Sequence, residues 1–212
     1  MQRCKSIMIN IITSKIFKFL VNNSAVNGMD SFEIEWIRYG IEITVSSVLG
    51  FLIAIAISVL LNRFVCGLIF LITFVAVRKY IGGFHAKTYL GCNLTFAACC
   101  AVLLLSVRFT AGAYPYLINT AISAFDFIII VLISPIENKN KPIGSKKQYI
   151  KLKIIGSLLF AAAGFAGTVL LYYNLNEYGT TVLYTLHLIT LLAVIGLIIE
   201  MKERRKSKNE EQ

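Results

Sequence analysis

IIGSLLFAAAGFAGTVLLYY, residues 154–173, runs for 20 positions without a charged side chain. As a helix rising about 1.5 Å per residue, it reaches about 30 Å, the thickness of a bilayer's hydrocarbon core. Five further apolar stretches occur at about 41–61, 64–81, 90–107, 111–133 and 180–199, so that all six are 18 to 23 residues long. The composition of the 212-residue chain agrees: 57% of residues are hydrophobic and 15% charged, against about a quarter charged in soluble domains. Mean hydropathy is +0.74. Too few charges are present to cover such an apolar chain in water, and neither disorder nor a disulfide-stapled secreted domain fits. The expected fold is all-α, a polytopic membrane protein with about six transmembrane helices and an N-terminal interfacial helix.

Six spans place both termini on one side of the membrane. Of the 21 Lys and Arg residues, nineteen then share that side. They are Arg3, Lys5, Lys15, Lys18 and Arg38 before the first span, and Arg78, Lys79 and Lys87 between spans two and three. Lys139, Lys141, Lys146, Lys147, Lys151 and Lys153 follow span four, and Lys202, Arg204, Arg205, Lys206 and Lys208 close the chain. Arg63 and Arg108 alone fall on the other side. The positive-inside bias therefore makes the termini and the two long loops cytoplasmic.

Residues 6–20 (SIMINIITSKIFKFL) are apolar with Asn10, Thr13, Ser14 and Lys18 on one stripe at helical spacing. Lys15 and Lys18 interrupt the run and no small-residue cleavage site follows, so an in-plane interfacial helix is expected rather than a signal peptide. Residues 22–40 read as a linker or short helix. One membrane domain over 1–212 is expected: an interfacial segment at 1–40, six spans within 41–199 and a charged tail at 200–212. The basic segment 134–153 (SPIENKNKPIGSKKQYIKLK) holds two of the three prolines.

The stretch RKYIGGFHAKTYLGC, Arg78 to Cys92, departs from the rest. Arg78 and Lys79 end a span where they can snorkel to the interface. Gly82 and Gly83 free the backbone, His85 follows, and Cys92 opens the next apolar run. On one unbroken helix His85 and Cys92 would lie roughly 10 Å apart along the axis, too far for proton transfer. If 82–91 is instead a turn between antiparallel spans, imidazole and thiol come within reach. The imidazole, the positive N-terminal end of the third span and the cations Arg78, Lys79 and Lys87 all favour a thiolate, while desolvation opposes it. Catalysis is one reading. A hydrogen-bonded interfacial His beside a small buried Cys is the other, and spacing alone leaves both open.

Cys66, Cys99 and Cys100 lie mid-span and read as small buried hydrophobes. His187, flanked by Tyr184 and Thr190, reads as a polar helix-packing residue. Asp126, deep in the fourth span, is costly there; it forms a contact between helices, orients His85, or belongs to a transport path. No metal site is expected, because the two His and five Cys are scattered without CxxC or HxxxH. No phosphate-binding glycine motif is present, and basic residues confined to one membrane face give no nucleic-acid role.

Two features together make the chain resemble the accessory gene regulator B (AgrB) family of membrane cysteine endopeptidases. One is the order Arg78, Gly82-Gly83, Phe84, His85-Ala86 and Cys92; the other is the Lys-Pro segment ENKNKPI, Glu137 to Ile143. The resemblance implies quorum-sensing chemistry on an AgrD-like propeptide with an amphipathic N-terminal part and an acidic C-terminal tail. It implies Cys92 as nucleophile, His85 as base and then acid, and ring closure to a thiolactone or lactone. It implies Gly82 and Gly83 shaping the turn, Arg78 orienting the motif or binding a substrate carboxylate, no cofactor, and a homodimer. Lys139, Lys141, Lys146 and Lys147 are the candidates for docking the acidic tail, against ordinary positive-inside charge and contact with anionic lipid. Gly156, Ala163, Gly164 and Gly167 permit close helix approach, inside the chain or at a dimer seam. The rivals are a transporter or exporter subunit using Asp126 and His187, and a peptidase that cleaves without cyclising.

Overall fold

The computed structural model describes residues 7–22, 30–83, 86, 88–112, 116–136 and 144–210. These form seven helices: α1 (Ile7–Asn22), α2 (Ser31–Leu60), α3 (Phe64–Ile81), α4 (Tyr89–Thr110), α5 (Tyr116–Ile133), α6 (Lys146–Tyr172) and α7 (Asn176–Glu210). No strand occurs among the described residues, and six of the helices are long and apolar enough to cross a membrane. The chain is an all-α, multi-pass membrane protein.

Three helices outrun their apolar stretches. α2 begins at Ser31 rather than near residue 41, so residues 31–40 continue the first span instead of linking to it. α6 begins at Lys146 because Ser145, with extended backbone, caps it: the Ser145 hydroxyl accepts the Gln148 N–H at 3.2 Å. α7 runs to Glu210 because the Glu, Lys and Arg after residue 199 are good helix formers. Apolarity marks the membrane-embedded part of a helix, whereas caps and propensity set where the helix ends.

Two compact units make up the chain: residues 1–56 with 86–98, and residues 57–85 with 99–212. In the larger unit α7 packs on α3, α5 and α6. Its core takes Val182, Leu183, Leu186, Ile189 and Ala193 from α7, Phe70, Phe74 and Val77 from α3, and Phe160 from α6. Buried polar groups sit among them. Thr181, Thr185 and Thr190 donate their hydroxyls to carbonyls one turn back, which satisfies them within the helix. Large apolar side chains face outward, Ile72 at 70%, Leu132 at 74% and Phe165 at 73% exposure. That pattern is unfavourable in water and suits hydrocarbon surroundings.

The small residues of α6 are used inside this unit. A Cβ at Gly167 would lie 2.8 Å from Leu183 Cδ2, one at Gly156 3.3 Å from Tyr80 Cβ, and one at Gly164 3.4 Å from Ser123 Oγ. Gly156, Gly164 and Gly167 thus serve packing within the chain.

In the smaller unit α2 meets the first turns of α4. Arg38, Glu42, Ser46 and Gly50, four apart along α2, form a stripe on which Tyr89 and Asn93 of α4 sit. On α1 the polar residues do not form one outward stripe: Thr13 is buried, while Lys15, Ile16, Lys18 and Phe19 are exposed.

Candidate active site

The glycine pair ends α3 in the way its sequence suggests. Gly82 takes φ 79° and Gly83 φ 124°, both in the region that side-chain-bearing residues avoid. Space is equally restrictive. A Cβ on Gly82 would stand 2.6 Å from the Ile136 carbonyl oxygen, and one on Gly83 3.2 Å from both Arg78 Nη1 and the Leu192 carbonyl oxygen. The strand of chain after α5 closes on this point, where the Ile136 N–H donates to the Ile81 carbonyl at 3.0 Å and so satisfies one of the open carbonyls at the end of α3. Ile136 also lines a cavity of about 280 Å³ with Ile133, Pro135, Tyr149, Leu197 and Met201. Arg78 lies over the Phe74 ring, 5.3 Å from its centroid, a cation–π contact. Arg78, Gly82 and Gly83 are thus one packed group.

Cys92 is set by a different device. Thr88 caps α4: its hydroxyl accepts the Gly91 N–H at 2.9 Å, and its carbonyl accepts the Cys92 N–H at 3.0 Å. One of the orphan donors of a helix start, the Gly91 N–H, is satisfied by the cap, the Cys92 N–H makes the first regular bond of the helix, and Cys92 falls in the first turn. α4 therefore begins at Tyr89, inside the expected 82–91 turn. The thiol is half-buried at this position, beside the positive end of the helix dipole. Cys66, Cys92, Cys99 and Cys100 are all thiols rather than disulfides. Cys66 and Cys100 are buried in their helices and Cys99 is half-buried.

His85, Phe84, Lys87, Lys139 and Lys141 lie outside the described residues. Lys146 and Lys147 are exposed in the first turn of α6, which holds no acidic residue. Two ammonium groups and a helix N-terminus thereby sum to a positive patch.

Asp126 of α5 and His187 of α7 bond to each other through Asp126 Oδ2 and His187 Nδ1. Nearby on α7, Tyr184 shares a hydrogen bond of 2.9 Å with Thr110 of α4. Of the three roles open to Asp126, the contact between helices is the one the structure displays. Among the described residues no group of His, Cys, Asp and Glu is arranged to hold a metal ion.

Sequence reasoning passed over two contributors near Cys92. One is the Thr88 cap, signalled by a Thr just before an apolar run. The other is Glu42, 2% exposed, which accepts the Tyr89 hydroxyl at 3.3 Å. The four-residue spacing of Arg38, Glu42, Ser46 and Gly50 was the readable sign of it.

The family model described as "Accessory gene regulator B" matches residues 13–200. An AgrB-like protein of Clostridium perfringens strain SM101 is 32% identical over 152 residues, 67% of this chain and 70% of the relative. The accessory gene regulator protein B of Staphylococcus intermedius is 27% identical over 147 residues, covering 68% and 77% of the two chains. That of Staphylococcus aureus strain MW2 is 26% identical over 156 residues, covering 71% and 81%. No solved structure matches at a significant level. With six apolar helices, a glycine-pair turn, and a match over nearly its whole length, the chain belongs to the accessory gene regulator B family.

Proposed function

We propose that this chain is a membrane cysteine endopeptidase that removes the C-terminal tail of an AgrD-like propeptide and closes the remaining peptide into a thiolactone or lactone for quorum sensing. The observation that carries this reading is the Thr88-capped helix start that holds Cys92 in the first turn of α4. Family membership supplies the substrate class.

The Cys92 thiol gives its proton to His85, and the thiolate attacks the carbonyl that precedes the tail. The tetrahedral intermediate collapses, the C–N bond breaks, and His85 returns the proton to the departing amine. The rest of the propeptide stays as a thioester on Cys92. An internal thiol or hydroxyl of the propeptide then attacks that thioester, its proton passes to the site, and Cys92 leaves as a thiol with the ring closed. With a thiol nucleophile one thioester replaces another, so the step is near balance, and limited access of water favours the ring over hydrolysis. The distribution of basic residues puts both termini and the turn that bears His85 on the cytoplasmic face, where such a propeptide is made. Arg78, packed against Gly83, holds the turn. Lys139, Lys141, Lys146 and Lys147 attract the acidic tail, and the same charges seat the protein on anionic lipid.

Intact-mass measurement on membranes containing the chain and its propeptide tests the reading, with Cys92→Ala and His85→Ala in parallel. A tail-less product lighter than its linear form by one water, absent from both variants, is expected. A hydrated product removes cyclisation, and equal processing in all three removes Cys92 from the chemistry. In that case the transporter reading, in which Asp126→Asn abolishes function and Cys92→Ser does not, takes over.

A further inference from the structure

We propose that Glu42 and Tyr89 form a clamp that positions Cys92, so that Glu42 of the first span is a positioning residue of the reaction. This rests on the peptidase reading above and adds to it a residue from an element that carries none of the motif.

Glu42 lies on the α2 face turned to α4 and is 2% exposed. A carboxylate so deeply buried at the start of an apolar run is costly unless held by donors. Two are present. The Tyr89 hydroxyl donates to Oε2 at 3.3 Å, and Arg38 Nε, one turn earlier on α2, lies 3.7 Å from Oε1. Tyr89 is the first residue of α4 after the Thr88 cap, one turn before Cys92 on the same side of the helix. A second rung follows at once: the Ser46 hydroxyl donates to Asn93 Oδ1 at 3.4 Å, and Gly50 leaves room for Asn93, whose Oδ1 a Cβ there would meet at 3.3 Å. Tyr89 and Asn93 thus bind α2 on either side of Cys92 in sequence.

Helix ends fray, and the Thr88 cap resists this in the first turn of α4. A thiol in a frayed turn loses both its aim and the helix dipole that stabilises its thiolate. Glu42 acts through Tyr89 to keep that turn wound. The sign of its effect on the thiol separates this role from a plain charge effect. A nearby carboxylate disfavours a thiolate, so removing the charge alone would make Cys92 more acidic. Removing a clamp makes it less acidic.

The experiment uses the full chain in membranes, comparing native protein with Glu42→Ala, Glu42→Gln and Tyr89→Phe. Alkylation of Cys92 by iodoacetamide is followed against pH through the mass of the Cys92-bearing peptide, alongside kcat and KM for tail removal. The expected result is a rise of about half a pH unit in the alkylation midpoint for Glu42→Ala and Tyr89→Phe alike. Their kcat falls about tenfold with KM unchanged, and Glu42→Gln, whose amide oxygen still accepts the Tyr89 hydroxyl, recovers most of the loss. A lowered midpoint in Glu42→Ala with Tyr89→Phe silent overturns the clamp, as do native midpoints and kcat in all three variants. If Glu42→Ala does not accumulate, Tyr89→Phe, which removes one hydroxyl, decides the matter alone. Tail removal that persists in Cys92→Ala overturns the peptidase reading instead, and the alkylation midpoints then judge the clamp without it.

Discussion

At Gly82 a single hydrogen in place of a methyl group decides whether the turn closes. Its φ of 79° and the 2.6 Å that would separate a Cβ from the Ile136 carbonyl are independent obstacles, and the second is backbone that cannot swing aside. Gly82→Ala is expected to cost about 1–3 kcal/mol of local strain and to reduce tail removal about tenfold. Gly144→Ala serves as the control, because a Cβ there meets only the Gln148 side chain at 3.8 Å. Equal processing by the two variants would show that the glycine turn is not needed for the reaction. The pair Gly82-Gly83 was legible in the sequence as a break. What it breaks against, the Ile136 backbone some fifty residues on, was not, because nothing local to the pair names its neighbour.

Between elements, the Asp126–His187 bond joins α5 to α7 and the small residues of α6 let that helix close on α7. Both operate through helix approach. His187→Leu is expected to lower stability by about 1–2 kcal/mol, read as a drop in the thermal midpoint, while propeptide processing per folded molecule stays at the native level. Loss of function with an unchanged midpoint would favour the transport reading. Six spans could be read directly from hydropathy, and each overlaps one of the six long apolar helices. The starts of α2 and α6 were misplaced by about ten and eight residues, because hydropathy reports the solvent around a helix whereas a cap such as Ser145 reports its end.

On the scale of the whole molecule, charge is the organising quantity. Nineteen of 21 basic residues fall on one side of a six-span arrangement, and Lys146 and Lys147 stand exposed at the start of α6. Replacing Lys139, Lys141, Lys146 and Lys147 together with Gln is expected to raise the KM for the propeptide about tenfold at low salt and far less at high salt, since exposed charges are screened beyond about 10 Å at 0.1 M ionic strength. A loss that ignores salt, or no loss, would detach these lysines from substrate capture.

The sequence by itself determined the membrane class, the number of spans, and the Gly82-Gly83 break that ends α3. Each of these depends on composition or on residues close together in the chain. Tertiary structure decided which partners meet. It joined Asp126 to His187, spent Gly156, Gly164 and Gly167 on internal packing, set Ile136 against Gly82, and brought Glu42 to Tyr89 beside the candidate nucleophile. The physical reason is the same in each case: a contact between helices depends on the rotation and depth at which they pack, and a chain in one dimension carries neither.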